Sequence, residues 1–135
     1  MNYAMLSCNA QERFNNLPII FAFSKKQFAE GCESIGVTDP KTELSDIGGG
    51  GFIKRTDLNL LRDVCDANEK ERNEFLSDMN NLEEAFRYEL GNHEYCITYN
   101  DVETWEAVGL DPETATKEQL GAYSEARSDY LSQEH

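Results

Sequence analysis

A run of four glycines, closely followed by a lysine and an arginine, is the segment of this chain whose residue types and spacing could most readily do chemistry. Glycine-rich loops bind phosphate when their backbone N–H groups converge on its oxygens, and Lys54 or Arg55 could supply the neutralising charge. The spacing departs from the phosphate-binding loop GxxxxGK[ST], which lies between a strand and a helix. A flexible turn into a strand and a backbone contact with a partner are therefore alternatives to phosphate binding. The glycines are Gly48, Gly49, Gly50 and Gly51.

Histidine could act in acid–base catalysis or bind a metal, but the chain has only two, His93 and the terminal His135. The segment that starts at His93 and Glu94 begins like the zinc motif HExxH, yet Ile97 stands where the second histidine is required. A single histidine next to the end of a predicted helix is typical of a C-terminal cap or of a partner for the helix dipole. We therefore expect His93 to have a structural role.

Cysteine and serine patterns give no further chemistry. The four cysteines stand 24, 33 and 31 residues apart without a CxxC pair, which predicts free, buried thiols in a reducing cytosol. No serine has a GxSxG context, and the calcium-loop pattern DxDxDG is absent. We therefore predict no catalytic residue, no metal and no cofactor, and we do not expect an enzyme. The cysteines are Cys8, Cys32, Cys65 and Cys96.

The charge of the chain is unevenly distributed. The chain has 26 acidic and 12 basic residues, a net charge of −14, and residues 69–135 hold 17 of the acids with only 5 bases. Solubility needs less charge than this, and self-repulsion makes the excess destabilising. The second half is therefore either a solvated face or an anionic docking surface for a basic protein, and nucleic acid is not expected as a direct ligand. The predicted partner-binding residues are Glu71, Glu74, Asp78, Glu83, Glu84, Glu89, Glu103, Glu106 and Asp111.

The first third of the chain predicts two helices around one strand. Apolar residues at helical spacing predict a helix over Met1–Asn16. The continuously apolar run Ile19–Phe23 predicts a strand that is covered on both faces. Ser24, with Gln27 three residues later, predicts a capped helix that ends at Gly36 in the left-handed conformation.

The middle of the chain is less regular. We interpret Val37–Ile47 as a polar connection, because its Asp-Pro pair is a turn signal. Phe52–Arg55 predicts a short strand beside the first one, and Thr56 predicts the cap of the next helix. The segment Asp66–Asn73 has almost no apolar residue and is either a solvated helical stretch or a turn.

A strong helical pattern follows. Its outer face is predicted to carry Glu74, Asp78, Glu84 and Glu89. Its apolar stripe has spacings of 4, 3, 4 and 4 residues, which predicts one buried helix face. The stripe consists of Phe75, Met79, Leu82, Phe86 and Leu90.

The last third predicts the remaining elements and the fold class. Aromatic and β-branched residues predict a third strand over Tyr95–Tyr99, and capping-box spacings at Asn100 and Thr116 predict two more helices. The predicted fold is α+β, with a small three-stranded antiparallel sheet packed against five or six helices. The length predicts a single domain over residues 1–135.

No segment predicts insertion into a membrane. The longest apolar run, Leu17–Phe23, is about a third of the length that crosses a bilayer. Residues 1–13 lack the basic and apolar regions of a signal peptide. We therefore expect a cytoplasmic protein that does not contact a membrane.

Three segments together resemble a known family. They are LPIIFAFS at 17–24, GGGFI at 49–53 and NHEYCITY at 92–99. In this order they resemble a family of small acidic proteins carried on phages and other mobile elements of gut bacteria, over roughly residues 10–130. The family has no established activity, so the resemblance implies a setting, the cytoplasm of a bacterial host cell, and no catalytic residues.

Two classes of function fit these observations. The first is an interaction protein that mimics DNA and inhibits a host defence nuclease of the anti-CRISPR or anti-restriction kind, because DNA-binding channels are lined with Lys and Arg. The second is a small nucleotide- or phosphate-binding protein or enzyme that uses the loop Gly48–Gly51 with Lys54 and Arg55. An accessory protein of mobile-element maintenance, acidic only for solubility, is a third possibility.

Overall fold

A computed structural model describes residues 1–133, so that Glu134 and His135 lie outside the described residues. These residues form eight α-helices and one three-stranded antiparallel sheet, which confirms the α+β class and adds helices to the five or six expected. Two of the eight, α3 and α6, have only four residues. In chain order the elements are α1 Tyr3–Asn15, β1 Ile19–Phe21, α2 Lys25–Ser34, α3 Pro40–Glu43, β2 Leu44–Gly48, β3 Gly51–Lys54, α4 Leu58–Leu76, α5 Met79–Asn92, α6 Tyr95–Thr98, α7 Val102–Val108 and α8 Lys117–Ser132.

The chain divides into two compact units, which we describe separately. The sheet unit is Cys8–Glu69. The helical unit combines Met1–Ser7 with the chain from Lys70 onward. The organisation of residues 1–135 as a single domain stays a prediction.

The sheet unit contains the strands in the order β1-β3-β2, with both neighbouring pairs antiparallel. Ile53, on the central strand, is fully buried. The rings of Phe28 and Phe52 meet edge to face with centroids 5.0 Å apart, which joins α2 to the sheet. The main cluster of buried side chains in this unit is Ile20, Cys32, Val37 and Leu44. The expected burial is confirmed for Cys32 and is wrong for Cys8 and Cys65, whose thiols are free but exposed.

The strand β2 was not expected from the sequence, because it lies inside the predicted polar connection. Leu44 is buried and Asp46 is exposed although both lie on the same face of the strand, so burial does not alternate from residue to residue. The strand is short and its register is irregular between Asp46 and Gly48, which also weakens its signal in the sequence. Pro40 opens α3 just before it, and the Glu43 carboxylate accepts hydrogen bonds from two backbone N–H groups that lower its pKa.

Two further expectations in this unit need correction. The first strand is not covered on both faces, because Ile20 is buried while the Phe21 side chain, on the opposite face, is exposed. The strand ends at Phe21, so Phe23 lies beyond it and is also exposed. Thr56 does not cap a helix directly, since it lies in a short 3-10 turn before α4 begins at Leu58. The cap at Ser24 is confirmed, because its side chain accepts from the N–H of Gln27 at 3.2 Å.

The helical unit is built around α5, which packs against α7 and α8. Phe86 is fully buried, and its ring meets Trp105 at 4.7 Å and Tyr123 at 5.2 Å between centroids. The predicted apolar stripe from Phe75 to Leu90 is buried except at Met79, which is partly buried. The stripe continues across the end of α4 and the start of α5, so it belongs to two helices.

The predicted strand over Tyr95–Tyr99 is wrong, because this segment forms the single turn α6. The backbone N–H of Tyr99 donates to the carbonyl of Tyr95 at 2.8 Å, and the N–H of Cys96 donates to the hydroxyl of Tyr130 at 3.2 Å. Tyr95 is buried in the helical core. Of the two tyrosines in the predicted strand, Tyr95 therefore serves core packing, whereas Tyr99 is exposed.

Two glycines inside helices predict opposite effects of the same substitution. Gly121 in α8 has open space where a Cβ would lie, so Gly121→Ala is expected to raise the free energy of unfolding by about 0.5–1 kcal/mol through helix propensity. Gly31 in α2 lies against Ile20, whose Cβ would be 3.2 Å from an added Cβ. We expect Gly31→Ala to lower the free energy of unfolding by about 1 kcal/mol, because overpacking outweighs propensity. Chemical denaturation of both variants checks the pair, and a stabilising Gly31→Ala would contradict the close packing of α2 on β1.

Candidate functional site

Five of the nine predicted partner-binding acids are exposed on the helical unit. Glu74 lies near the end of α4, and Asp78 caps the start of α5. Glu103 and Glu106 lie on α7, and Asp111 follows it. We call these five residues the acidic surface.

Three of the other predicted acids are half-buried and belong to the fold. Glu83 pairs with Arg87 one helical turn later, with 2.7 Å between its carboxylate and the guanidinium. The carboxylate of Glu84 accepts a hydrogen bond from the backbone N–H of Tyr3 at 2.8 Å, at the start of α1. Glu71 is half-buried in α4. These side chains contribute charge to the unit but are partly committed to internal contacts.

The expected exposed position of Glu89 is wrong, because its side chain is buried and only 7% of its surface is accessible. It accepts a hydrogen bond from the Tyr3 hydroxyl at 2.7 Å and from the Asn92 side chain at 3.3 Å. Glu89 stands seven residues after Leu82 and three after Phe86, which places it on the inward face of α5. Its spacing in the sequence indicates the buried face of the helix, whereas its acidic side chain favours an exposed position, so the two signals conflict.

His93 connects the buried carboxylate to the acidic surface. It caps the C-terminus of α5 as expected, and its Nε2 lies 3.1 Å from Glu89 while its Nδ1 lies 2.9 Å from Glu103. Carboxylates only accept hydrogen bonds, so both contacts require a hydrogen on both ring nitrogens or on one of the carboxyl groups. The bridge fixes the end of α5 to the first turn of α7 and so positions Glu103. Within residues 1–133, no three His, Cys, Asp or Glu side chains are grouped so that they could hold a metal ion.

Two buried tyrosines donate to carboxylates, and this predicts an alkaline loss of stability. Burial and the hydrogen bond to Glu89 raise the pKa of Tyr3, and burial and the 2.5 Å hydrogen bond to Asp101 raise the pKa of Tyr123. The unfolded chain releases these protons near pH 10, whereas the folded chain keeps them. The free energy of unfolding should therefore be unaffected below about pH 10 and fall above it, by up to about 1.4 kcal/mol per pH unit for each tyrosine.

The check is chemical denaturation between about pH 9 and pH 11, in the range where unperturbed tyrosine titrates. The double variant Tyr3→Phe, Tyr123→Phe should show a shallower decline than the parent chain. Tyr88, which is exposed, provides the control through Tyr88→Phe. If the free energy of unfolding falls equally steeply with pH in the parent and in the double variant, the pKa values of the two hydroxyls are not raised in the folded state.

An exposed apolar patch lies next to the acidic surface. The side chains of Ile97 and Tyr99 are each 71% exposed, and that of Val102 is 56% exposed. The backbone is left-handed at Glu94 and at Tyr99, with φ of 54° and 52°. The exposure of Ile97 and Tyr99 was not expected, because the segment Tyr95–Tyr99 was predicted to be a strand of the sheet.

The glycine loop forms the turn between β2 and β3. Gly48, Gly49 and Gly50 have φ of 86°, 60° and 80°, a conformation that side chains with a Cβ rarely adopt. The N–H of Gly48 donates to the Asp46 carboxylate at 2.8 Å, so a negative charge already lies at the turn. The Arg55 guanidinium donates to backbone carbonyls rather than facing a free anion site. These contacts favour the turn over phosphate binding, and they leave the role of the loop toward a partner a prediction.

Along the described part of the chain, no helix has the length and apolar character needed to cross a membrane.

Comparison with known proteins identifies a family but no function. No curated protein and no solved structure matches the chain. A protein-family model matches residues 2–127, which is nearly the whole sequence. The protein therefore belongs to the Family of unknown function (DUF7659).

Proposed function

We propose that this protein acts by binding a basic protein surface through its acidic surface. The observation that carries the proposal is the exposure of carboxylates without compensating cations. Glu74, Glu106 and Asp111 are exposed and have no ion-pair partner among residues 1–133. The half of the chain that contains them, residues 69–135, has 17 acids and 5 bases.

The finer proposal is that the partner is a nucleic-acid-binding nuclease and that the protein mimics DNA. A DNA-binding channel neutralises phosphates with Lys and Arg, and carboxylates spaced along helices present a comparable array of negative charge. Such an array gains from counterion release and from electrostatic steering during association. The resemblance to proteins of phages and mobile elements supports a defence nuclease of a bacterial host as the target.

The fold supports a rigid presentation of this charge. Asp78 is held by hydrogen bonds from the backbone N–H groups of Asn80 and Asn81, at 2.8 and 3.4 Å. Glu103 is held by His93, and Glu106 lies one turn later on the same helix. Pre-ordered side chains lose less conformational entropy on binding than free ones do, which favours affinity.

The test is a competition between this protein and duplex DNA for a purified partner. Candidate partners are obtained by affinity capture from a bacterial lysate, and each is then produced alone and titrated with labelled duplex. The expected result is that the captured protein is a basic nuclease, that this protein displaces the duplex, and that the displacement weakens as salt is raised. A partner that binds this protein and duplex DNA at the same time, without competition, would rule out mimicry.

A further inference from the structure

The apolar patch formed by Ile97, Tyr99 and Val102 is not explained by solubility or by charge mimicry. A protein that only imitates a polyanion needs exposed carboxylates, whereas water-exposed apolar groups give such a mimic no advantage. Three large apolar side chains lie here within six residues of sequence, each more than half exposed. Single exposed apolar residues scattered over a surface are ordinary, whereas three on one six-residue segment point to an interaction site.

The backbone holds this patch in place. Tyr95 is buried in the helical core, and the backbone N–H of Cys96 donates to the hydroxyl of Tyr130. These two contacts hold the start of the segment that carries the patch. Glu94 and Tyr99 keep left-handed φ although neither is glycine, which is energetically unfavourable. Strain of this kind is concentrated where a protein needs a particular surface.

The charges around the patch indicate what covers it. Glu94 is exposed just before the patch in the sequence, and Glu103 and Glu106 are exposed on the same helix as Val102. A second copy of the chain would bring the same carboxylates face to face across a symmetric contact, which is unfavourable for a chain of net charge −14. A partner with Lys or Arg around an apolar centre matches both features at once.

We infer that Ile97, Tyr99 and Val102 form the centre of the partner interface, and that the partner contributes an apolar side chain flanked by Lys or Arg. This inference rests on the proposed function and specifies its partner. The apolar contact excludes water from the middle of the interface, and the surrounding carboxylates pair with the partner's cations at the rim. The interface is therefore of a protein–protein kind, with an apolar anchor that DNA does not supply.

The experiment selects peptides that bind the full chain from a displayed library of random peptides. The selected peptides are expected to combine Lys or Arg with aromatic or large aliphatic residues, and the Kd of the best one is measured by fluorescence anisotropy. The double variant Ile97→Ser, Val102→Ser should weaken its binding by at least about tenfold. Tyr99→Asn should weaken binding to a similar extent, because asparagine tolerates the left-handed backbone and the substitution removes the exposed ring.

The control is the double variant Leu120→Ser, Leu131→Ser, which removes two exposed apolar side chains from α8 in the same unit and should leave the Kd unchanged. Selection of peptides with Lys and Arg but no apolar residue, insensitive to Ile97→Ser, Val102→Ser, would overturn this inference and leave the proposed function standing. Failure to select basic peptides would overturn both. Self-association in sedimentation velocity that Ile97→Ser, Val102→Ser abolishes would show that a second copy of the chain, not a basic partner, covers the patch. Binding to phosphatidylcholine vesicles that this variant abolishes would show that a membrane covers it.

Discussion

Phe86→Ala is expected to lower the free energy of unfolding by about 3–5 kcal/mol, the range measured for large aromatic cavities. The ring is fully buried at the centre of the helical unit and touches the rings of Trp105 and Tyr123. The substitution removes the ring contacts that Phe86 on α5 makes with Trp105 on α7 and Tyr123 on α8. Because the protein has one tryptophan, fluorescence during chemical denaturation reports on this unit directly.

Tyr88→Ala provides the matched control on the same helix. Tyr88 is also aromatic and lies two residues away, but it is exposed and has an edge contact with Tyr3 at 5.3 Å. We expect this substitution to cost about 1 kcal/mol, the value of such a ring pair. A cost below about 1 kcal/mol for Phe86→Ala itself would show that α5 does not face the core as the structure describes, since the cavity term could not then be present.

The helices were the part of the fold that the sequence predicted best. Their apolar stripes repeat over several turns, so the buried face of α5 could be identified before its partners were known. The break between α4 and α5 was missed because Phe75 and Met79 keep the helical spacing across it. Asp78 is exposed as predicted, and it is also the N-cap of α5, a role that the unbroken helical spacing did not indicate.

The strands were harder, because short strands carry little periodic signal. The segment Tyr95–Tyr99 has strong β propensity, yet it forms one helical turn whose Tyr95 ring is needed in the core. The true third strand, Leu44–Gly48, contains serine, aspartate and glycine, which disfavour strands locally. Pairing with the adjacent strand β3 across the glycine turn decides its conformation, and the propensities of its own residues do not indicate this pairing.

The candidate site could be predicted as a region but not residue by residue. The excess of acids in the second half predicts an anionic surface, and five of the nine predicted residues are exposed, while their contact with a partner stays a prediction. Composition could not separate Glu89, which serves Tyr3 and His93 inside the unit, from Glu74, which faces solvent. The apolar patch depends on two left-handed residues, Glu94 and Tyr99, whose conformation no sequence pattern indicated.

Reversing three exposed carboxylates is expected to weaken partner binding by more than about tenfold, because the long-range attraction and the direct ion pairs are lost together. The variant is Glu74→Lys, Glu106→Lys, Asp111→Lys, whose side chains have no ion pair within the described residues. The Asp111 carboxylate accepts one hydrogen bond, from the backbone N–H of Glu113 at 2.9 Å in an exposed turn, so its loss does not reach the core. Glu84 and Glu89 are left unchanged, since their substitution would break hydrogen bonds to Tyr3 and confound folding with binding. Circular dichroism should show an unchanged fold.

The matched control applies the same change in net charge to the other half of the chain, through Glu12→Lys, Glu30→Lys, Glu33→Lys, three exposed positions in the sheet unit. Titration calorimetry with the captured partner should show a Kd within about threefold of the parent for this control, because charges outside an interface act only through the screened overall field. The difference between the two variants should shrink as ionic strength rises, since exposed pairs are screened over about 8 Å at physiological salt. Equal weakening by both variants would mean that net charge alone drives the association and that the acidic surface is not the docking site. If both charge-reversed variants bind the partner as the parent does, the acidic residues serve solubility, and the apolar patch must bind the partner without a contribution from them.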